Sequence, residues 1–154
     1  MTQAKQIANR FREIIFNGEF VAGTNYKAQL CGVDWKLATQ KTVTANTIAA
    51  LTFHVHYYIA GMLNVLEGGP LDIKDKFSFD MPPITSQEAW EQLLDQLWKD
   101  AEKFASFVEL LTDKKLQEDF TDEKYGSYQR NIDAMIEHSY YHLGQIVLIK
   151  KLTA

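Results

Sequence analysis

Residues Asn131 to Lys151 read NIDAMIEHSYYHLGQIVLIKK, and their periodicity decides what kind of fold this chain adopts. At about 100° per residue, Ile132, Met135, Ile136, Leu143, Ile146 and Val147 gather on one arc, with Arg130, Asp133, Glu137 and Lys151 on the far side. That is an amphipathic helix, starting around Ser127, with a core face and a solvent face. Between the two arcs runs a polar row, Asn131, His138, His142 and Gln145, which borders the core and is separate from the charged face. His138 and His142 are four residues apart, so both imidazoles lie on one side, the spacing by which a helix offers two nitrogens to one metal ion. Gly144 stands beside them although glycine disfavours a helix by about 1 kcal/mol. Its smallness is read as serving close packing.

Working outward, three more long helices are expected. The second, from Thr44 or Asn46 to Glu67, carries Ile48, Leu51, Val55, Ile59, Met62 and Leu66 in one stripe and Ala49, Phe53, Ala60 and Leu63 in another. A helix apolar nearly all round belongs at the centre of a fold, and Gly68-Gly69-Pro70 ends it. The first covers Thr2 to Asn17 through Ile7, Phe11, Ile14 and Ile15, with Gly18 as the stop. Between these two, Thr24 or Asn25 and then Asp34 can cap short helices. The third opens at Thr85, which has capping-box spacing with Glu88, and runs to about Leu111 with Trp90, Leu93, Leu94, Leu97, Phe104, Phe107 and Leu111 inside. Leu71 to Thr85 is a long crossover containing Pro82-Pro83, which suits a cover over a site or a topology needing a long reach. Leu116 to Gly126 reads as a polar connector pinned by Phe120 and Tyr125. Four amphipathic helices and one long crossover predict an all-α four-helix bundle, as a single domain over residues 1–154.

Composition narrows the function classes. Hydrophobic residues are 46% and charged residues 23%, the pattern of an ordinary globular chain rather than a disordered or fibrous one. The net charge of −4 is spread along the chain without a basic run, which argues against nucleic acid as a partner. Thr47 to Leu66 is interrupted by polar groups and has no flanking Lys or Arg, so a buried helix is expected there rather than a membrane span. The N-terminal fifteen residues mix charges with apolar side chains and do not form a signal peptide. A cytoplasmic location is the expectation, and the lone Cys31 cannot form an internal disulfide.

All four histidines, His54, His56, His138 and His142, lie in the two most apolar helices. Three neutral imidazoles hold zinc or a similar divalent ion while leaving a position open. His54 and His56 differ by roughly 200° around their helix and cannot both face one ion. His54 shares its row with Leu51, Tyr58 and Gly61, His56 with Phe53, Ala60 and Leu63. Both rows are apolar, so periodicity does not choose between them.

The segment Glu137-His138-Ser139-Tyr140-Tyr141-His142-Leu143-Gly144-Gln145-Ile146 resembles the signature of the DinB-like superfamily, in which His-x-x-x-His is followed by Gly-Gln. Asn46 to His54 (NTIAALTFH) is similar to that family's lone-His helix, where the ligand follows a Ser/Thr-Ile-x-x-Leu run, about four turns before the terminating Gly. On that register the resemblance implies His54, His138 and His142 as the metal ligands, with His56 an extra. It also implies an up-up-down-down bundle with a long crossover between the second and third helices, one divalent ion (zinc or nickel first), and frequent homodimers. The activities implied are thiol-dependent S-transfer or isomerisation with a low-molecular-weight thiol; from the ion's own chemistry, a bound thiolate gives S-transfer and a bound water gives hydrolysis, so one of these on a small molecule is the expectation. The alternative is a non-catalytic helical bundle that binds metal or ligand as a dimer.

Ser139 follows His138, so the His-Glu-x-x-His pair of metalloproteases is missing and peptidase activity is not expected. Cys31 has no basic cluster near it and is read as structural. Tyr58, one turn from His54, is a candidate pocket residue. Gln145 is a candidate support for His142 or else a helix–helix hydrogen bond. Trp35, Trp90 and Trp98 are read as core or interface anchors, and Asp72, Asp75 and Asp80 as loop solvation.

Overall fold

The computed structural model describes residues 1–153. The protein is all-α: α1 Gln3–Arg12, α2 Tyr26–Leu30, α3 Trp35–Ala38, α4 Ile48–Leu66, α5 Gln87–Glu109, α6 Asp113–Gln117 and α7 Tyr128–Thr153. Among the described residues there is no strand, only an isolated antiparallel bridge between Asp119 and Ser127. The long helices share one core. α4 packs on α5 and α7, and α1 packs on the same two partners. Phe11 of α1 meets Phe104 of α5 with ring centroids 4.7 Å apart, and the fully buried Trp90 donates its indole N–H to the carbonyl of Val33 at 2.8 Å.

Local chemistry sets the helix ends. Thr2 caps α1 by accepting from the N–H of Lys5. The last turn, Glu13–Asn17, widens to a π-turn closed by Gly18 N–H to Glu13 C=O at 2.8 Å. A Cβ on Gly18 would stand 2.4 Å from that of Glu13, so only glycine permits this ending. Thr47, not Thr44 or Asn46, caps α4 by accepting from Ala50 N–H. The helix ends as expected: Gly69 N–H reaches Asn64 C=O and Gly68 N–H reaches Val65 C=O, a Schellman ending with Gly68 at φ 98°.

The third long helix begins one residue later than its sequence suggests. Ser86, in extended conformation, accepts from Ala89 N–H at 3.1 Å, so Thr85 is outside the helix and Glu88 cannot close a capping box with it. Phe107 is exposed because it lies on the outward face of α5, whose last turn still buries Ala105 and Val108, and Leu111, beyond the helix end at Glu109, is only partly buried. The polar connector before α7 contains α6 and a 3-10 turn at Glu123–Tyr125. Phe120 pins it in the core, while Tyr125 stays exposed.

The crossover is strapped onto α4. The hydroxyl of Tyr57 accepts from Lys74 N–H at 2.8 Å and donates to its C=O at 2.9 Å, and Tyr58 donates to a carboxylate oxygen of Asp75 at 2.7 Å. One turn further on, a Cβ on Gly61 would stand 2.5 Å from Cγ2 of Ile73. The glycine therefore lets the crossover lie directly against the helix.

Candidate metal centre

The periodicity that aligns His138 and His142 on α7 is also what directs both at α4. Its core face (Ile132, Met135, Ile136, Leu143, Ile146, Ile149) is buried, and the adjacent polar row sits at the edge where α7 meets α4. The fully buried Tyr26 of α2 fastens this stretch by donating to the carbonyl of Ser139 at 2.6 Å, between the two histidines.

His54 of α4 completes the cluster. Its Nε2 lies 3.1 Å from Nε2 of His138, which lies 3.0 Å from Nε2 of His142. Two imidazole nitrogens bound to one zinc-like ion at about 2.0–2.1 Å in a tetrahedral site are about 3.3–3.4 Å apart, so a small outward shift of the rings accommodates a shared ion. The other ring nitrogens determine which atoms converge. His54 Nδ1 faces the carbonyl of Ser78 at 3.3 Å, and His142 Nδ1 faces Oε1 of Gln145 at 2.6 Å. Both partners are acceptors, so each Nδ1 carries the proton and each Nε2 points inward as a lone pair. His138 can donate one proton at most, so at least one lone pair in the cluster is left facing nitrogen with nothing to bind. A cation resolves that conflict.

Electrostatics agree with this arrangement. His138 is pushed down to about 4, first by burial and then by the proximity of His142 and His54. His54 is lowered by burial and by His142, and His142 by burial against the opposing effect of Gln145. All three imidazoles are held neutral near pH 7, the form that binds a metal. Among the described residues His54, His138 and His142 are the one group of at least three such side chains whose ligand atoms lie close enough to hold an ion.

The walls come largely from the crossover. Phe79 stacks on the His54 ring, centroids 4.0 Å apart and planes within 7°. Tyr58 stands edge-on to both His54 and His138, and Tyr141 edge-on to His142. Asp75 is therefore not loop solvation, because it orients Tyr58 against the cluster. Asp75, Ser78, Phe79 and Tyr26 carry no motif in the sequence; the one hint was Tyr58, one turn from His54.

The remaining candidates lie elsewhere. His56 points to α5, where its Nε2 is 2.7 Å from Oδ2 of Asp100, an oxygen that also accepts from Gln96 at 3.0 Å. Asn131 donates to the carbonyls of Tyr125 and Ser127 and so ties the connector to α7. Gln145 supports His142 and is not a helix–helix bridge. Gly144 makes no close contact: a Cβ there would meet nothing within 4 Å, because that face of α7 is turned outward. Cys31 is exposed at the end of α2 and has no structural packing role. Trp98 is half-buried, with Phe16 on one side and the Lys27 ammonium over its ring.

A family model described as the DinB superfamily matches residues 33–146, well over half of the chain and a span containing all three clustered histidines. No curated protein and no solved structure matches the chain.

Proposed function

The chain belongs to the DinB superfamily, and on that premise we propose that it is a metal-dependent enzyme acting on a small molecule, with one divalent ion held by His54, His138 and His142. The observation that carries this reading is the convergence of three Nε2 atoms, with the tautomers of His54 and His142 dictated from behind by Ser78 and Gln145. Three neutral histidines without a carboxylate or cysteine in the group are the donor set of an ion that keeps a position for substrate. Zinc and nickel are among the ions that imidazole donors suit, and they are the ones proposed.

A divalent ion, when bound, supplies Lewis acidity and makes a water or thiol nucleophilic near neutral pH. Thiol-dependent transfer and hydrolysis are the two reactions consistent with that chemistry. The protein's own part is positioning. Gln145 and Ser78 fix two rings, Phe79 and Tyr58 restrict solvent at the His54 face, and Asp75 holds the Tyr58 phenol in place.

The contacts of α4 and α1 with both α5 and α7 support the up-up-down-down order in one domain, and the exposed row Tyr141, Leu148 and Leu152 on α7 supports a homodimer. No helix among the described residues is long and apolar enough to cross a membrane, and a cytoplasmic site of action is part of the proposal. Elemental analysis of protein purified without chelator tests the centre. About one equivalent of zinc or nickel is expected in the native protein and little in His142→Ala. Equal, negligible metal in both would refute it.

A further inference from the structure

A cavity of about 520 Å³ opens beside the histidine cluster and ends at His138 and Tyr58. Its body is lined by Met62 of α4, Leu71 and Ile73 of the crossover, Phe120 of the connector, and Ala134 and Met135 of α7. Polar side chains share the lining, but several are already engaged. Asp75 and Lys74 contribute one charge of each sign, and Tyr58 is already committed to Asp75. Asn131 has both amide hydrogens engaged with backbone carbonyls. Tyr125 lies at the exposed edge.

We propose that this cavity is the substrate-body pocket of the metal centre, and that it selects a small molecule with an apolar body and little net charge, whose reacting polar end lies at His138. The inference rests on the metal reading and adds the substrate class to it. Volume and lining suit a small ligand rather than a polypeptide. A hydroxyl-rich or multiply charged molecule would lose hydration against Met62, Leu71, Ile73 and Phe120, with Lys74, Asp75 and Tyr125 too few to satisfy it. An apolar chain gains by burial there, at about fourfold in affinity per methylene fully removed from water. The selectivity resides in four separate segments of the chain, so it exists only in the folded protein.

The test uses cobalt-substituted protein and a series of simple thiols: ethanethiol, 1-propanethiol, 1-butanethiol, 1-pentanethiol, and glutathione as the polar, charged comparison. Thiolate-to-cobalt absorbance reads occupancy directly, independent of any turnover. Affinity is expected to climb about two- to fourfold per methylene, with glutathione weaker than pentanethiol. Ala134→Phe, which fills the cavity from α7, is expected to flatten the climb. A flat series in the native protein, or glutathione binding as tightly as pentanethiol, overturns the pocket while leaving the metal centre intact. Failure of cobalt to bind at all overturns the metal reading and this inference with it. A series in Ala134→Phe as steep as the native one would show that the chains are buried elsewhere, and also overturns it.

Discussion

The candidate centre draws on two unlike kinds of structure, regular helix in α7 and α4 and the irregular crossover. α7 delivers His138, His142 and Gln145 through a single helical periodicity, with every position set by its neighbours one turn away. The crossover delivers Ser78, Phe79 and Asp75 through an irregular path, held by two consecutive tyrosines of α4 and one glycine. α7, with His54 of α4, carries the candidate ligand nitrogens and the crossover provides much of their surroundings. Regular structure therefore carries the chemistry that must be placed most accurately, while irregular structure tunes it.

The sharpest way to break this division is to compare ligand loss with wall loss. His142→Ala is expected to weaken zinc binding by more than about 100-fold, beyond the range of supporting-residue changes. Phe79→Leu should cost less than about 10-fold, since His54 keeps its bond to Ser78. Competition titration with a chelating dye measures both. Equal losses would mean that the crossover is as much part of the ligand set as α7. His56→Ala belongs in the same titration and should bind zinc like the native protein, because its partner is Asp100 on α5.

Gln145→Leu comes next. It leaves the Nδ1 proton of His142 without an acceptor, and a loss of about 10- to 100-fold in zinc affinity is expected. An unchanged affinity would reduce Gln145 to a bystander.

The pH response sharpens the α7 side further. In metal-free protein His138 is held near 4, whereas an unperturbed histidine titrates at 6.5. Between those values the unfolded chain binds more protons, so stability is complete above about pH 6.5 and is lost as the pH falls toward 4. Thermal melts of the stripped protein should show that decline, with a shallower slope in His138→Gln. An identical slope in the variant would assign the acid sensitivity to other groups.

The smallest effects come from two glycines, one on α7 and one on α4 beneath the crossover. Gly144→Ala faces open space on α7 and should stabilise the protein by about 0.5–1 kcal/mol through helix propensity. Gly61→Ala would force Ile73 aside, and the overpacking, about 1–3 kcal/mol, should outweigh the same helical gain. Denaturant melts should therefore give opposite signs, and two stabilised variants would mean that the crossover yields easily at Ile73.

How much of this could be read from the chain follows the same line. The four long helices, the Gly68-Gly69 ending and the buried face of α7 were legible because their side chains repeat at the helical period and their caps are local. His138 and His142 were visible as a pair for the same reason. Choosing His54 over His56 needed the family register, since both rows of α4 are apolar and only tertiary packing sends one to α7 and the other to Asp100. The roles of Asp75, Ser78 and Phe79 were not legible, because a crossover without periodicity does not reveal which side chains it turns inward. Two readings failed where one residue type serves two purposes. Gly144 suggested close packing but faces outward, and Thr85 with Glu88 suggested a cap that Ser86 provides.

An ion held where the three Nε2 atoms converge would also make the fold an indicator of its surroundings. An ion that binds the folded chain and not the unfolded one raises stability by mass action, by about 2.7 kcal/mol when its free concentration is 100 times the dissociation constant. The melting temperature would then track the free ion logarithmically, and metal starvation would shorten the protein's lifetime before any substrate was involved.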